Sequence, residues 1–274
     1  MRLQLTLSRA GREAQGRRSR PSWLSVAFAC ALCFGAQGCS GEGEQVKAKA
    51  PGVPRPNLVS VTVQQDFGIV TGESPCSFAG QIYGGFTCFR ADQTQYHGTP
   101  KSQDPSDATG VYLATTRLLL SFDRVLGDNW TLGGRLGGVV RGGGPKPDGA
   151  AAPSFLPFHG ELRAAYWFGA APFGGTGFRA GLFVAGGIAQ VDTLFPVDVV
   201  ENTKAPRPAV QPDNPKEQTL DAYTKTGTGF AGGGLSFAYA FLPTSAFVLH
   251  LKVMGLFPSG GAALSPELGY EHAF

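Results

Sequence analysis

From Leu58 onward the chain alternates apolar and polar positions with period two, and the alternation breaks at turn signals. The pattern predicts eight strands, at 58–70, 110–125, 130–141, 155–168, 177–193, 222–241, 246–258 and 263–274. Each reaches or exceeds the ~9–11 residues that a tilted strand needs to cross a bilayer. In 130–141, Trp130, Leu132, Leu136 and Val140 oppose Arg135 and Arg141. In 158–168, Phe158, Leu162, Tyr166 and Phe168 oppose His159, Glu161, Arg163 and Trp167. Phe178, Leu182, Val184 and Ile188 oppose Arg179, and Phe247, Leu249, Leu251 and Val253 oppose His250 and Lys252. Asp66, Arg117 and Asp123 lie opposite Val61, Val63, Phe67, Leu118, Leu120 and Phe122.

Alternation alone fits two architectures. A water-soluble sandwich buries the apolar face and wets the charged one. A membrane barrel does the reverse, with lipid outside and a polar lumen inside. The connections favour the barrel, since those on one side are mostly long (71–109, 142–154, 194–221, with 259–262 short) and those on the other uniformly short (126–129, 169–176, 242–245). Trp130, Tyr166, Phe168, Phe178, Phe241, Phe247 and Phe274 gather at the short-turn end, as an aromatic girdle at a membrane interface would. No stretch of 18 apolar residues follows the N-terminal segment, which excludes a bundle of membrane helices.

The last strand places Phe274, His272, Tyr270, Leu268, Pro266 and Leu264 on one face, with Glu267 and Glu271 between them. An acid-bearing strand that closes on an aromatic residue resembles the C-terminal strand of bacterial outer-membrane barrels. Residues 58–274 as a whole resemble the small eight-stranded OmpA/OmpX-type barrels in architecture. That resemblance implies an all-β, eight-stranded, antiparallel up-and-down transmembrane barrel whose first and last strands pair. It also implies two partners, the lipid of the outer membrane and the barrel-assembly machinery, which would read the strand ending at Phe274.

The N-terminal segment fits export. Arg2, Arg9, Arg12, Arg17, Arg18 and Arg20 form a basic stretch before the apolar run 23–36, and Ala36-Gln37-Gly38 is a small-x-small cleavage site. Residues 1–38 are therefore expected to be a signal peptide. Ala-Gln-Gly-Cys also resembles a lipobox, making Cys39 a candidate for acylation. Residues 39–57, with Pro51, Pro54 and Pro56 among Lys, Glu and Gly, read as a disordered periplasmic tether. Cleavage would remove six of the 23 Lys and Arg and one of the 20 Asp and Glu. The formal charge of +3 becomes about −2, so the basic balance of the whole chain does not point to nucleic acid. Cys76 and Cys88 remain, with Cys39 if it is not acylated; acylation would leave an even pair suited to an oxidising compartment, and a disulfide between Cys76 and Cys88 would staple the first long loop.

The expected lumen charges are Asp66, Asp123, Glu161, Glu267 and Glu271 against Arg117, Arg135, Arg141, Arg163, Arg179 and Lys252. Eight strands leave a lumen just wide enough for side chains. A near-balanced set therefore predicts a plug of paired charges, with a non-enzymatic structural or surface-interaction role and an unidentified extracellular partner for the loops. The alternative is a narrow conduit for small or hydrophobic solutes, to which Gly181, Gly187, Gly232 and Gly234 would lend local width. The third reading, by resemblance to barrel-type lipid A deacylases, is a membrane-embedded hydrolase drawing on His159, Glu161, His250 and Ser265. No spacing of His, Cys or acids suggests a metal site, and no cofactor motif is present. The loop 194–221, with Pro196, Pro206, Pro208, Pro212 and Pro215, is expected to be extended and solvated.

Overall fold

The computed structural model describes residues 56–72, 74–101, 109–147, 154–202 and 216–274. Residues 1–55 lie outside the described residues. The expected signal peptide, Cys39 and all of the tether but its last two residues therefore lie outside them.

Eight strands form a closed antiparallel barrel. They are β1 (Asn57–Val70), β3 (Gly110–Leu126), β4 (Trp130–Arg141), β5 (Phe158–Trp167), β6 (Gly177–Ile188), β9 (Gly229–Leu242), β10 (Ser245–Phe257) and β11 (Ala262–Ala273). Around the barrel the order is β1-β11-β10-β9-β6-β5-β4-β3. The chain ends close it, because Leu58 pairs with Ala273 and the Asn57 and Phe274 backbones exchange two 2.9 Å hydrogen bonds. No edge is then left to seek a partner. The first strand begins at Asn57, one residue inside the segment expected to be tether.

The barrel is inside out by the standards of a soluble protein. Leu120, Leu136, Leu162, Val184, Leu249, Val253 and Leu268 are exposed, whereas the alternate positions on the same strands are buried. At the short-turn end the expected girdle forms, with Trp130 against Tyr166 (centroids 5.1 Å), Tyr166 against Phe168 (5.7 Å) and Phe241 against Phe247 (5.0 Å). Such a surface suits hydrocarbon bounded by interfacial aromatics.

Two expected strands are corrected. Strand 177–193 stops at Ile188, and 222–241 is two strands interrupted at Gly227-Thr228. Between them runs a second hairpin, β7 (Val191–Val200) with β8 (Glu217–Thr226), and β2 (Phe86–Phe89) from the first long loop pairs with β8. The result is a three-stranded sheet, β2-β8-β7. Over 194–200 and 217–221 the loop is thus hydrogen-bonded strand, not a solvated extended segment; 203–215, with Pro206, Pro208, Pro212 and Pro215, lie outside the described residues. The other long loop carries β2 and a short helix, α1 (Phe78–Tyr83), begun by Ser77, whose Oγ accepts from Gly80 N at 3.0 Å. Cys76 and Cys88 are disulfide-bonded around it.

This sheet covers the long-loop end of the barrel. Val70, Tyr96, Phe195, Val197, Val199, Leu220, Ala222 and the disulfide form one buried cluster, with Phe86 and Tyr112 against Phe195. Glu201 ties the loops together, since the Tyr96 hydroxyl donates to it and Thr99 N donates to its Oε2 at 3.1 Å. Burial, and then the bond to Glu201, push the Tyr96 phenol well above its ordinary range.

Candidate functional site: the lumen and its cap

The lumen is layered. On β10 the successive inward residues are Ala246, Val248, His250, Lys252, Met254 and Leu256, two apolar, two basic and two apolar. Other strands contribute to apolar clusters at both ends, whereas β1 runs polar from Ser60 to Asp66. At the short-turn end Ala165, Trp167, Phe183, Ala238, Ala240, Ala246 and Val248 pack together. Towards the cap Ala114, Ala189, Val191, Phe230, Met254, Leu256 and Ala263 do the same. Apolar clusters therefore flank the middle of the lumen at both ends, with the Arg179–Glu271 pair and Asp123 as charged exceptions at the short-turn end, a feature that counting lumen charges did not reveal.

That middle layer holds most of the expected charge network. Glu161 and Glu267 face Lys252, whose Nζ lies 2.6 Å from Glu161 Oε2 and 2.9 Å from Glu267 Oε1. Arg135 pairs with Glu267 and reaches Glu161 at 3.8 Å. Two bases and two acids thus form a closed ring from β4, β5, β10 and β11. Each of the four side chains has at most 2% of its surface exposed. Isolated, any one of these charges would be very costly so far from water; mutual pairing offsets that cost. Arg117 pairs with Asp66 and donates to the Gln190 carbonyl, while Ser265 donates to Asp66 Oδ1 at 2.7 Å. Lys252 also donates to Gln64 at 2.9 Å.

Arg163 is held differently. Its guanidinium lies 3.7 Å from the Phe183 ring centroid, donates to Ser236 and approaches His250 Nδ1 at 3.1 Å. The ring supplies a negative face where no carboxylate is in contact. Arg179 and Glu271 pair near the short-turn end, with Arg179 5.2 Å from the Trp167 ring. Asp123, buried at that end, leans over Gly133 and has no ion-pair partner among the described residues. Gln64, Ser236 and Phe183 belong to this network and were not anticipated. Their only signal was the inward parity of their strands.

One expectation about the lumen is corrected. Arg141 is exposed at the rim instead of inside, because a bulge between Thr116 and Arg117 shifts β4 so that Val139 lies opposite Arg117. The four inward glycines, expected to lend the lumen local width, lie where neighbouring strands approach closely. A Cβ at Gly181, Gly187, Gly232 or Gly234 would strike the backbone carbonyl of Tyr166, Gly160, Val253 or Leu251, so each glycine lets neighbouring strands curve closely together.

The residues named for hydrolysis are inside but do not form one relay. Ser265 is bonded to Asp66, His159 Nε2 lies 3.2 Å from Glu161, and His250 lies 3.1 Å from Ser236 with Arg163 beside both. All are buried in the lumen, away from the apolar outer face. No group of His, Cys, Asp and Glu with metal-binding geometry occurs among the described residues.

Above the lumen, the turn from β6 to β7 rests on the barrel. Arg117 holds the Gln190 carbonyl, Gln190 Oε1 accepts from Leu156 N at 2.9 Å, and Asp192 N donates to Thr115 Oγ1 at 2.9 Å. The Asp192 carboxylate accepts from Gly143 N at 2.8 Å. Burial pushes Asp192 up to about 6, against the opposing pull of Lys225. A cleft of about 260 Å³ between Arg141, Asp192 and Tyr223 opens at this rim.

No family model and no curated protein matches the chain. Solved structures similar to it include the N-terminal β-barrel domain of Pseudomonas aeruginosa OprF (14% identity, TM-score 0.30, 77% of this chain and 96% of that one). Neisserial surface protein A, NspA, matches at 9% identity and TM-score 0.39 over 80% of this chain and 97% of that one. The outer membrane protein OprG from P. aeruginosa matches at 9% and 0.32 over 81% and 96%. The eight-stranded closure described above rests on this chain's own strand register.

Proposed function

We propose that the protein is a non-enzymatic barrel of the bacterial outer membrane. Its N-terminus would lie in the periplasm, its lumen would be closed to solutes, and its cap would meet partners outside the cell. The observation that carries this reading is the layered lumen: a ring of two acids and two bases lies between apolar layers, under a covered mouth. Opening a path would part the Lys252 and Arg135 pairs from Glu161 and Glu267 and strand charges in a dry interior. A conduit with selectivity charges would instead keep them wet. The strand ending at Phe274, paired with β1, supplies the aromatic terminus that assembly machinery would engage.

The test is electrical. Purified, folded protein inserted in planar bilayers is expected to give no stable conductance steps. Reproducible unitary steps, altered in ion selectivity by Arg135→Ala, would replace the plug with the conduit.

A further inference from the structure

We infer that α1 and its flanking turn form an interfacial foot, lying in the lipid headgroup region of the leaflet at the long-loop end. This rests on the reading of the eight strands as membrane-spanning. Phe78, Ile82 and Tyr83 are 71%, 56% and 82% exposed, although the disulfide and the Ser77 cap hold the helix in place. Phe78 and Ile82 are four apart and share one helical face. From Pro75 to Phe89 there is no charged residue, so no ion would have to be desolvated.

The rest of the cap's outer surface differs, with Asp198, Lys216, Glu217 and Asp221 exposed to solvent. Position supplies the second observation. A cleft of about 560 Å³ lined by Thr71, Gly72, Ser77, Gly80, Tyr83 and Phe86 joins α1 to the chain just beyond β1. The apolar outer belt ends at that level, with Ile69 on β1 and Val111 on β3 both exposed. The uncharged aromatic face therefore continues the lipid-facing surface at its upper rim, where amphipathic rings such as tyrosine prefer to lie. A foot already ordered by a disulfide and a cap loses little freedom when it settles on lipid.

The test uses the full chain in vesicles containing phosphatidylcholine brominated near the top of the acyl chain. In a Trp23→Phe, Trp167→Phe background, which leaves Trp130 as the one tryptophan, quenching of its fluorescence reports on the barrel reading itself. In the same background carrying Tyr83→Trp and Trp130→Phe, the new tryptophan is expected to be quenched to an extent similar to Trp130 and protected from aqueous iodide. Quenching of Trp130 without quenching at position 83, together with full iodide access there, would overturn the foot while leaving the barrel. That outcome would assign the patch to water or to a protein partner. Absence of Trp130 quenching would instead remove the membrane reading on which the foot rests. Phe78→Ser with Ile82→Ser in the Tyr83→Trp, Trp130→Phe protein should restore iodide access, and unchanged protection would also count against the proposal.

Discussion

The barrel wall and the cap that covers it are built from one continuous chain under opposite rules. In β6 the even positions Phe178, Leu182, Val184 and Ile188 are apolar and exposed, and odd Arg179 points inward to Glu271. After two intervening residues, in β7, the buried apolar positions are odd: Val191, Phe195, Val197 and Val199, with Pro196 and Asp198 exposed. The return strand repeats the change, from buried Leu220 and Ala222 in β8 to exposed Leu235, Tyr239 and Phe241 in β9. Apolar residues move from the outside to the inside where the solvent changes from hydrocarbon to water. The switch at Ala189-Gln190 and Gly227-Thr228 is therefore where the proposed membrane reading places the edge of the hydrocarbon.

The contrast is sharpest where a charge is removed from the wall's interior. Lys252→Met leaves Glu161 and Glu267 sharing Arg135 alone, and is expected to cost about 3–5 kcal/mol in urea unfolding from vesicles. Removing Glu161 together with Lys252 should recover most of that loss, because Arg135 and Glu267 then remain as a balanced pair. Phe195→Ala is expected to cost about 3–5 kcal/mol within the cap only. Amide exchange should quicken in β7 and β8 while the heat-modifiable gel shift of the barrel stays the same.

On the outer surfaces the same substitution should have unlike effects. Leu136→Arg on the wall is expected to destabilise by about 2–4 kcal/mol if it lies near the bilayer midplane. Asp198→Arg on the cap should change stability by within about 0.5 kcal/mol, as read from the same unfolding curves. The smallest effect concerns pH. Asp192 has its folded-state pKa pushed up to about 6 from 3.8, so the folded cap binds more protons than the unfolded chain between those values. Its contribution to cap stability is fully present below about pH 4 and is lost as pH rises through about 6. Exchange of the β7 amides should track that window, and Asp192→Asn should abolish the dependence.

Period two and the spacing of turns made the wall legible. They located 130–141 to the residue and placed Glu161, Arg163, Lys252 and Glu267 on one face. The cap was missed for a physical reason: its strands continue those of the wall with only two intervening residues, so a single window over 177–193 or 222–241 averages two solvents. The sign change was nevertheless in the letters, since Val191, Phe195, Val197 and Val199 have odd numbers where Leu182, Val184 and Ile188 have even ones. The Arg135–Glu161–Lys252–Glu267 ring was legible as a set of residues but not as a partnership, which depends on strands distant in sequence meeting across the lumen. Arg163 over Phe183 had no charge-based signal, because an aromatic ring does the work there of a counterion.

Apolar side chains of the wall should face lipid and those of the cap should not. A photoactivatable probe carried on a lipid acyl chain, read by peptide mass spectrometry, addresses that directly. Leu162, Val184, Leu251 and Val253 of the wall should be labelled, and Phe195, Val197 and Leu220 of the cap should not. Labelling of the cap residues, or none at Leu162 and Leu251, would contradict the change of solvent at Ala189-Gln190.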